Sequence, residues 1–152
     1  MKDTIKMLKQ NRKLIARSVE NLSQEQLLLV PEGFKNNILW NLGHLIVTQQ
    51  LLHYKLSGNK MLITDELCDQ LKSGTSPADW SEPPDVDVLK ALAPELPARL
   101  EKDYEIGRFR DFKEYTTRTG IVLANIDDAI SFNNFHEGVH TGIILCLRKL
   151  VG

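Results

Sequence analysis

Apolar residues in the first twenty positions return at helical intervals. Ile5, Leu8, Ile15 and Val19, with Met7 and Leu14 beside them, predict an amphipathic helix from Lys2 to Glu20. Lys2, Lys6, Lys9 and Lys13 follow a second stripe, the pattern of a solvated face. Ser23 with Gln26 reads as a capping box that opens a short helix through Leu29, and Pro31-Glu32-Gly33 breaks the chain after it. A second long helix is expected from about Asn36 to Ser57, with Gly58 as its terminator. Its apolar residues, among them Leu39, Leu42, Leu45, Ile46, Leu52 and Leu56, lie almost all round the axis, so it should be buried on most sides.

Beyond Gly58 the periodicity fails. Residues 73–77 and 82–84 read as loop, with a short helical piece at Asp65–Leu71. A connection of this length crosses a bundle or borders a site. A third long helix fits Asp85 to about Tyr104 through Val88, Leu89, Leu92, Leu96 and Leu100, although Pro94 and Pro97 each remove a backbone donor and weaken it. Residues 107–120 read as loop or a short extended stretch. The last helix should begin at the cap Asn125, with Asp127 and Asp128 favourable to its dipole, and run to about Leu150. With no repeats and no strand-rich region, the fold class is all-α: a four-helix bundle with a long crossover between the second and third main helices.

The 152 residues suit one domain, residues 1–152, and 42% hydrophobic with 26% charged residues is an ordinary globular balance. The net charge of −1 provides no positive field for nucleic acid. No apolar run is long enough for a bilayer, and neither a leader nor an anchor is expected. Two cysteines, Cys68 and Cys146, fit a reducing, cytoplasmic setting. Cys146 reads as a small apolar core residue and Cys68 as a loop or short-helix thiol.

Position makes the four histidines informative. Ile126, Ala129, Asn133, His136, His140, Ile143, Leu147 and Leu150 form one bundle-facing stripe with two imidazoles near its middle. Residues four apart differ by about 40° on a helix, so His136 and His140 can reach one point. Imidazoles on an apolar seam carry a desolvation cost unless they bind something, and neutral imidazole suits zinc, nickel, copper or iron. His136-Glu137-Gly138-Val139-His140 also spells the zincin pattern His-Glu-x-x-His. However, Thr141 to Gly152 contain no His, Asp or Glu, and the metzincin extension meets Ile143 and Cys146, so a peptidase fits poorly. The third ligand must come from upstream. His44 is preferred because Gly43 permits close helix approach beside it, whereas His53 shares its face with Gln49, Gln50 and Ser57 and reads as a surface histidine. Asp127 and Asp128 are better explained as first-turn charges than as ligands.

Three imidazoles leave coordination room for water, a thiolate or a substrate oxygen. Trp40, Asn41, Val47 and Thr48 lie within a turn of His44 and are candidates for a substrate pocket, with plain core the alternative for Trp40 and Val47. Glu137 is a candidate catalytic proton acceptor or partner of the ligands, or else a surface glutamate. Tyr115 and Arg118 are candidates for a lid or an anion contact. Two further readings share these residues: a metal-binding or stress-response protein without catalysis, and a bundle whose histidines bind nothing.

The segments Ile38-Leu39-Trp40-Asn41-Leu42-Gly43-His44-Leu45 and Phe135-His136-Glu137-Gly138-Val139-His140-Thr141-Gly142, in this order and separated by a long crossover, resemble the DinB-like (DinB/YfiT) superfamily. The resemblance implies a four-helix bundle, a divalent metal such as nickel or zinc on His44, His136 and His140, and frequent homodimers. It also implies a small-molecule substrate and chemistry with a low-molecular-weight thiol, as in bacillithiol-type S-transferases and mycothiol-dependent isomerases. Despite the family's name it implies no DNA binding, in agreement with the charge.

Overall fold

A computed structural model describes residues 1–152. Helix α1 spans Lys2–Val19, α2 Gln24–Leu28, α3 Ile38–Gln49, α4 Asp65–Leu71, α5 Val86–Glu105 and α6 Ile126–Leu150. The Ser23–Gln26 capping box forms and opens α2. Asn37 caps α3 by accepting from the Trp40 N–H at 2.7 Å, and Asn125 caps α6 by accepting from the Asp128 N–H. Helix α3 continues into a π-helical segment, Gln50–Lys55, and the chain then turns at Gly58 with φ of +67°. No helix is long and apolar enough to cross a membrane.

The four long helices pack in a ring in which α1 and α3 each contact both α5 and α6. Every residue of α3 from Ile38 to Val47 is buried, as its all-round apolar character requires. Ile15, Val19, Leu42, Leu45, Leu89, Ala93, Leu96, Ile144 and Leu147 fill the space between the helices. The lysine stripe of α1 lies outside, where Lys9 pairs with Glu101 of α5 at 2.6 Å. The crossover from α3 to α5 carries α4 and lays it against α3.

Helix α5 runs unbroken through both prolines. Pro97 cannot donate to the carbonyl of Ala93 four residues earlier, and this carbonyl instead accepts from Arg12 Nη1 of α1 at 3.3 Å. Pro94 lies on the exposed side of the helix. Between α5 and α6, residues expected to be loop or short extended chain form a small antiparallel hairpin. Tyr115–Thr116 (β1) pairs with Val122–Leu123 (β2), and Leu123 packs against Leu52 and Ala129. Two expectations are corrected. Cys146 is exposed rather than in the core, since its position on α6 turns it away from the stripe. Leu150, at the last turn of that stripe, is 55% exposed, although Leu147 one turn earlier is fully buried.

Candidate metal centre

The centre begins with a close approach of two helices. A Cβ on Gly43 would stand 2.5 Å from Leu71 Cδ1, so any larger residue would have to push aside the buried Leu71 side chain where the end of α4 rests on α3. The approach delivers the Leu71 carbonyl to the next residue, where His44 Nδ1 donates to it at 2.8 Å. A carbonyl can only accept, so His44 carries its proton on Nδ1 and leaves the Nε2 lone pair free.

Helix α6 supplies the other two imidazoles. His136 Nε2 lies 3.2 Å from His44 Nε2. His140 Nδ1 donates to Asn41 Oδ1 at 2.8 Å, while Asn41 Nδ2 donates to the Asn37 carbonyl and so fixes which end of the amide faces the ring. The ligand atoms of His44, His136 and His140 all lie within 4.8 Å of one another. Nitrogens sharing one tetrahedral ion at zinc-like bond lengths stand about 3.3 Å apart, close to the His44–His136 separation. Burial holds the His44 pKa below its ordinary value against the pull of the Leu71 carbonyl. His136 is pushed down to about 3 by burial and then by His140, His44 and Arg12, and His140 to about 4 by burial and His44. All three rings are therefore neutral near pH 7, the form in which imidazole binds metal. Three neutral nitrogen donors from two helices, two of them with their second nitrogen tied to a fixed acceptor, fit a divalent ion.

The candidate pocket residues surround this cluster. Trp40 stacks on His44 with centroids 4.5 Å apart and an interplanar angle of 10°, and its Nε1 donates to Thr75 Oγ1. Thr48 Oγ1 is 3.4 Å from His44 Nε2. Val47 is fully buried in the core. Two cavities meet at the imidazoles. One, of about 400 Å³, is bordered by Trp40, Asn41 and His140. The other, of about 630 Å³, is bordered by Thr48, the hairpin and α6, and takes in Tyr115 and Arg118. His44, His136 and Ser73 line both.

Glu137 is not a surface glutamate. Its carboxylate is fully buried and accepts from Arg12 Nε at 2.7 Å and Arg12 Nη2 at 2.6 Å. Arg12 was not visible as a site residue in the sequence, yet it had a signal: it interrupts the apolar row Leu8, Ile15, Val19 on the buried face of α1. Glu137 had one too, standing seven residues from Ile130 on one side and Ile144 on the other, both buried.

His53 also departs from expectation. It is fully buried with Gln49, Gln50 and Ser57, so the polar face of this helix end points inward rather than to water. Burial pushes its pKa down to about 3, with the Ala129 backbone opposing and Arg12 adding to the effect. It does not join the three-histidine cluster. Asp127 accepts from Tyr104 Oη and Asp128 from the Ala124 N–H, as first-turn residues of α6 do. A family model described as the DinB superfamily matches residues 7–144. No curated protein matches the chain.

Proposed function

The chain belongs to the DinB superfamily, whose model covers well over half of it, and from this premise we propose that it is a divalent-metal-dependent enzyme. In this reading His44, His136 and His140 hold nickel or zinc, and the reaction is an S-transfer from a low-molecular-weight thiol, bacillithiol or similar, to a small electrophile. Cytoplasmic stress response or detoxification is the setting, with a homodimer as the working form. The observation that carries the reading is the convergence of three neutral imidazoles, with the Nδ1 atoms of His44 and His140 bonded to Leu71 and Asn41.

When bound, such an ion supplies Lewis acidity, which holds a coordinated thiol or water deprotonated near neutral pH. The protein's own residues do the rest. Leu71 and Asn41 orient two rings so that their lone pairs face one point, and the Trp40 indole fixes the plane of His44. Thr48 offers a hydroxyl beside His44 that can accept a hydrogen bond from substrate. Leu51, Leu52 and Phe132 line the hairpin side of the centre with apolar surface, against which the apolar part of a substrate can pack. Glu137 acts as a positioning residue: with both oxygens engaged by Arg12, it fixes the turn of α6 that carries both histidines.

The test is metal analysis of untagged protein, followed by a screen of the loaded protein with several thiols and electrophiles. One equivalent of metal is expected in the parent, with loss in His44→Ala, His136→Ala and His140→Ala. Metal content unchanged in these variants overturns the centre. Stoichiometric metal without metal-dependent turnover across the panel favours the non-catalytic binder.

A further inference from the structure

The cavity of about 630 Å³ beside His44 and His136 has an unusual lining. Its walls are apolar, with Leu51, Leu56, Phe132, Phe135 and Val139 among them, and Phe135 is 59% and Val139 47% exposed to its space and to solvent. It contains no aspartate or glutamate. It does contain two cations, Lys55 from the π-helical end of α3 and Arg118 from the hairpin turn. Neither forms an ion pair. The carboxylate of Asp69, within electrostatic reach of Lys55, is bonded to Lys72 at 2.7 Å. Arg118 spends one donor on Ser73 Oγ at 2.9 Å, which steadies the guanidinium and leaves its other N–H groups free.

An apolar trough with unpaired cations and no acid selects its occupant by charge and by shape. A cationic ligand would meet like charge with no counter-charge, and a wholly polar ligand would leave exposed phenyl and aliphatic surface uncovered. An anion with an apolar body satisfies both. We propose that this cavity takes an amphipathic small-molecule anion, in its simplest form a carboxylate on an alkyl or aryl body. Lys55 and Arg118 bind the head group, and the body lies along Phe132, Phe135 and Val139. The location against His44 and His136 makes this the electrophile's side of the centre, a point that rests on the metal reading above; the anion grip itself does not.

The experiment uses the full-length protein, chelator-treated and metal-loaded, titrated calorimetrically with octanoate, octanamide and octylammonium. Octanoate is expected to bind saturably in both forms, and at least tenfold more tightly than octanamide or octylammonium. In Lys55→Gln/Arg118→Gln its affinity should fall about tenfold, with octanamide affinity and melting temperature unchanged, since both side chains are exposed. Equal binding of octanoate and octanamide, no saturable octanoate binding, or a double variant within twofold of the parent overturns the inference. Octanoate that binds only to loaded protein, and equally well in the double variant, is held by the metal and also overturns it. Failure of the metal centre itself would show separately, as absence of metal from protein that still binds octanoate.

Discussion

Arg12 Nη2 and Glu137 Oε1 stand 2.6 Å apart inside the bundle, and neither side chain has any solvent exposure. The same guanidinium donates to the Leu45 carbonyl of α3 at 2.8 Å and to the Ala93 carbonyl of α5. One side chain on α1 thus ties together the other three long helices, and its carboxylate partner lies next to His136 on α6. The charges compensate each other only while both are present. Glu137→Ala should destabilise the protein by about 3–5 kcal/mol in urea unfolding, because it strands a buried cation. The double variant Arg12→Met/Glu137→Leu, which removes both charges and keeps volume, should lose clearly less than the sum of the two single variants.

Asn41 gives the centre its second-layer test. Asn41→Ala removes the acceptor that holds His140 Nδ1–H and should weaken metal affinity by about 10–100-fold. A competition titration against a chromophoric chelator measures it. His140 should remain a ligand, so metal stoichiometry at saturation should stay as in the parent.

Gly43→Ala sets helix propensity against packing. Alanine favours α3 by about 1 kcal/mol, but its Cβ would fall within 2.5–2.8 Å of both Leu71 methyl groups, and Leu71 is fully buried. Displacement of Leu71 also moves the carbonyl that orients His44. A net loss of about 1–3 kcal/mol and weaker metal binding are expected. Gly43→Ala/Leu71→Ala should be less than additive in the same unfolding assay.

His53 predicts a pH dependence. Its folded pKa, about 3, lies below the unfolded value of about 6.5, so in between the unfolded chain binds the extra proton. The stability contributed by keeping this ring neutral is full above pH 6.5 and falls as pH drops toward 3. The slope should approach about 1.4 kcal/mol per pH unit for this one group. Urea unfolding at several pH values between 6.5 and 4 should therefore show a shallower pH dependence in His53→Gln than in the parent, by about that amount.

Much of this fold was legible in the sequence because its helices are strongly periodic and locally capped. Ser23, Asn125 and Gly58 act through bonds or torsions within a few residues, so their roles could be read directly. The stripe on α6 likewise put His136 and His140 on one face, and the all-apolar surround of α3 put His44 inside. Pro94 and Pro97 weakened the reading of α5 without overturning it. A proline's cost depends on what happens to the carbonyl it frees, and for Pro97 the answer lies on α1, at Arg12.

By itself, then, the sequence determined the helices, their approximate ends and the shared face of His136 and His140, since these follow from spacing along one chain. Only the tertiary structure decided that His44 meets that pair, that Leu71 and Asn41 orient the rings of His44 and His140, that Glu137 belongs to Arg12, and that the polar face around His53 is buried. These depend on contacts between residues as far as 125 positions apart. Hydrophobic periodicity reports which face of a helix is apolar. It does not report where a polar side chain finds its partner, because a buried charge is stable wherever packing delivers its counter-charge.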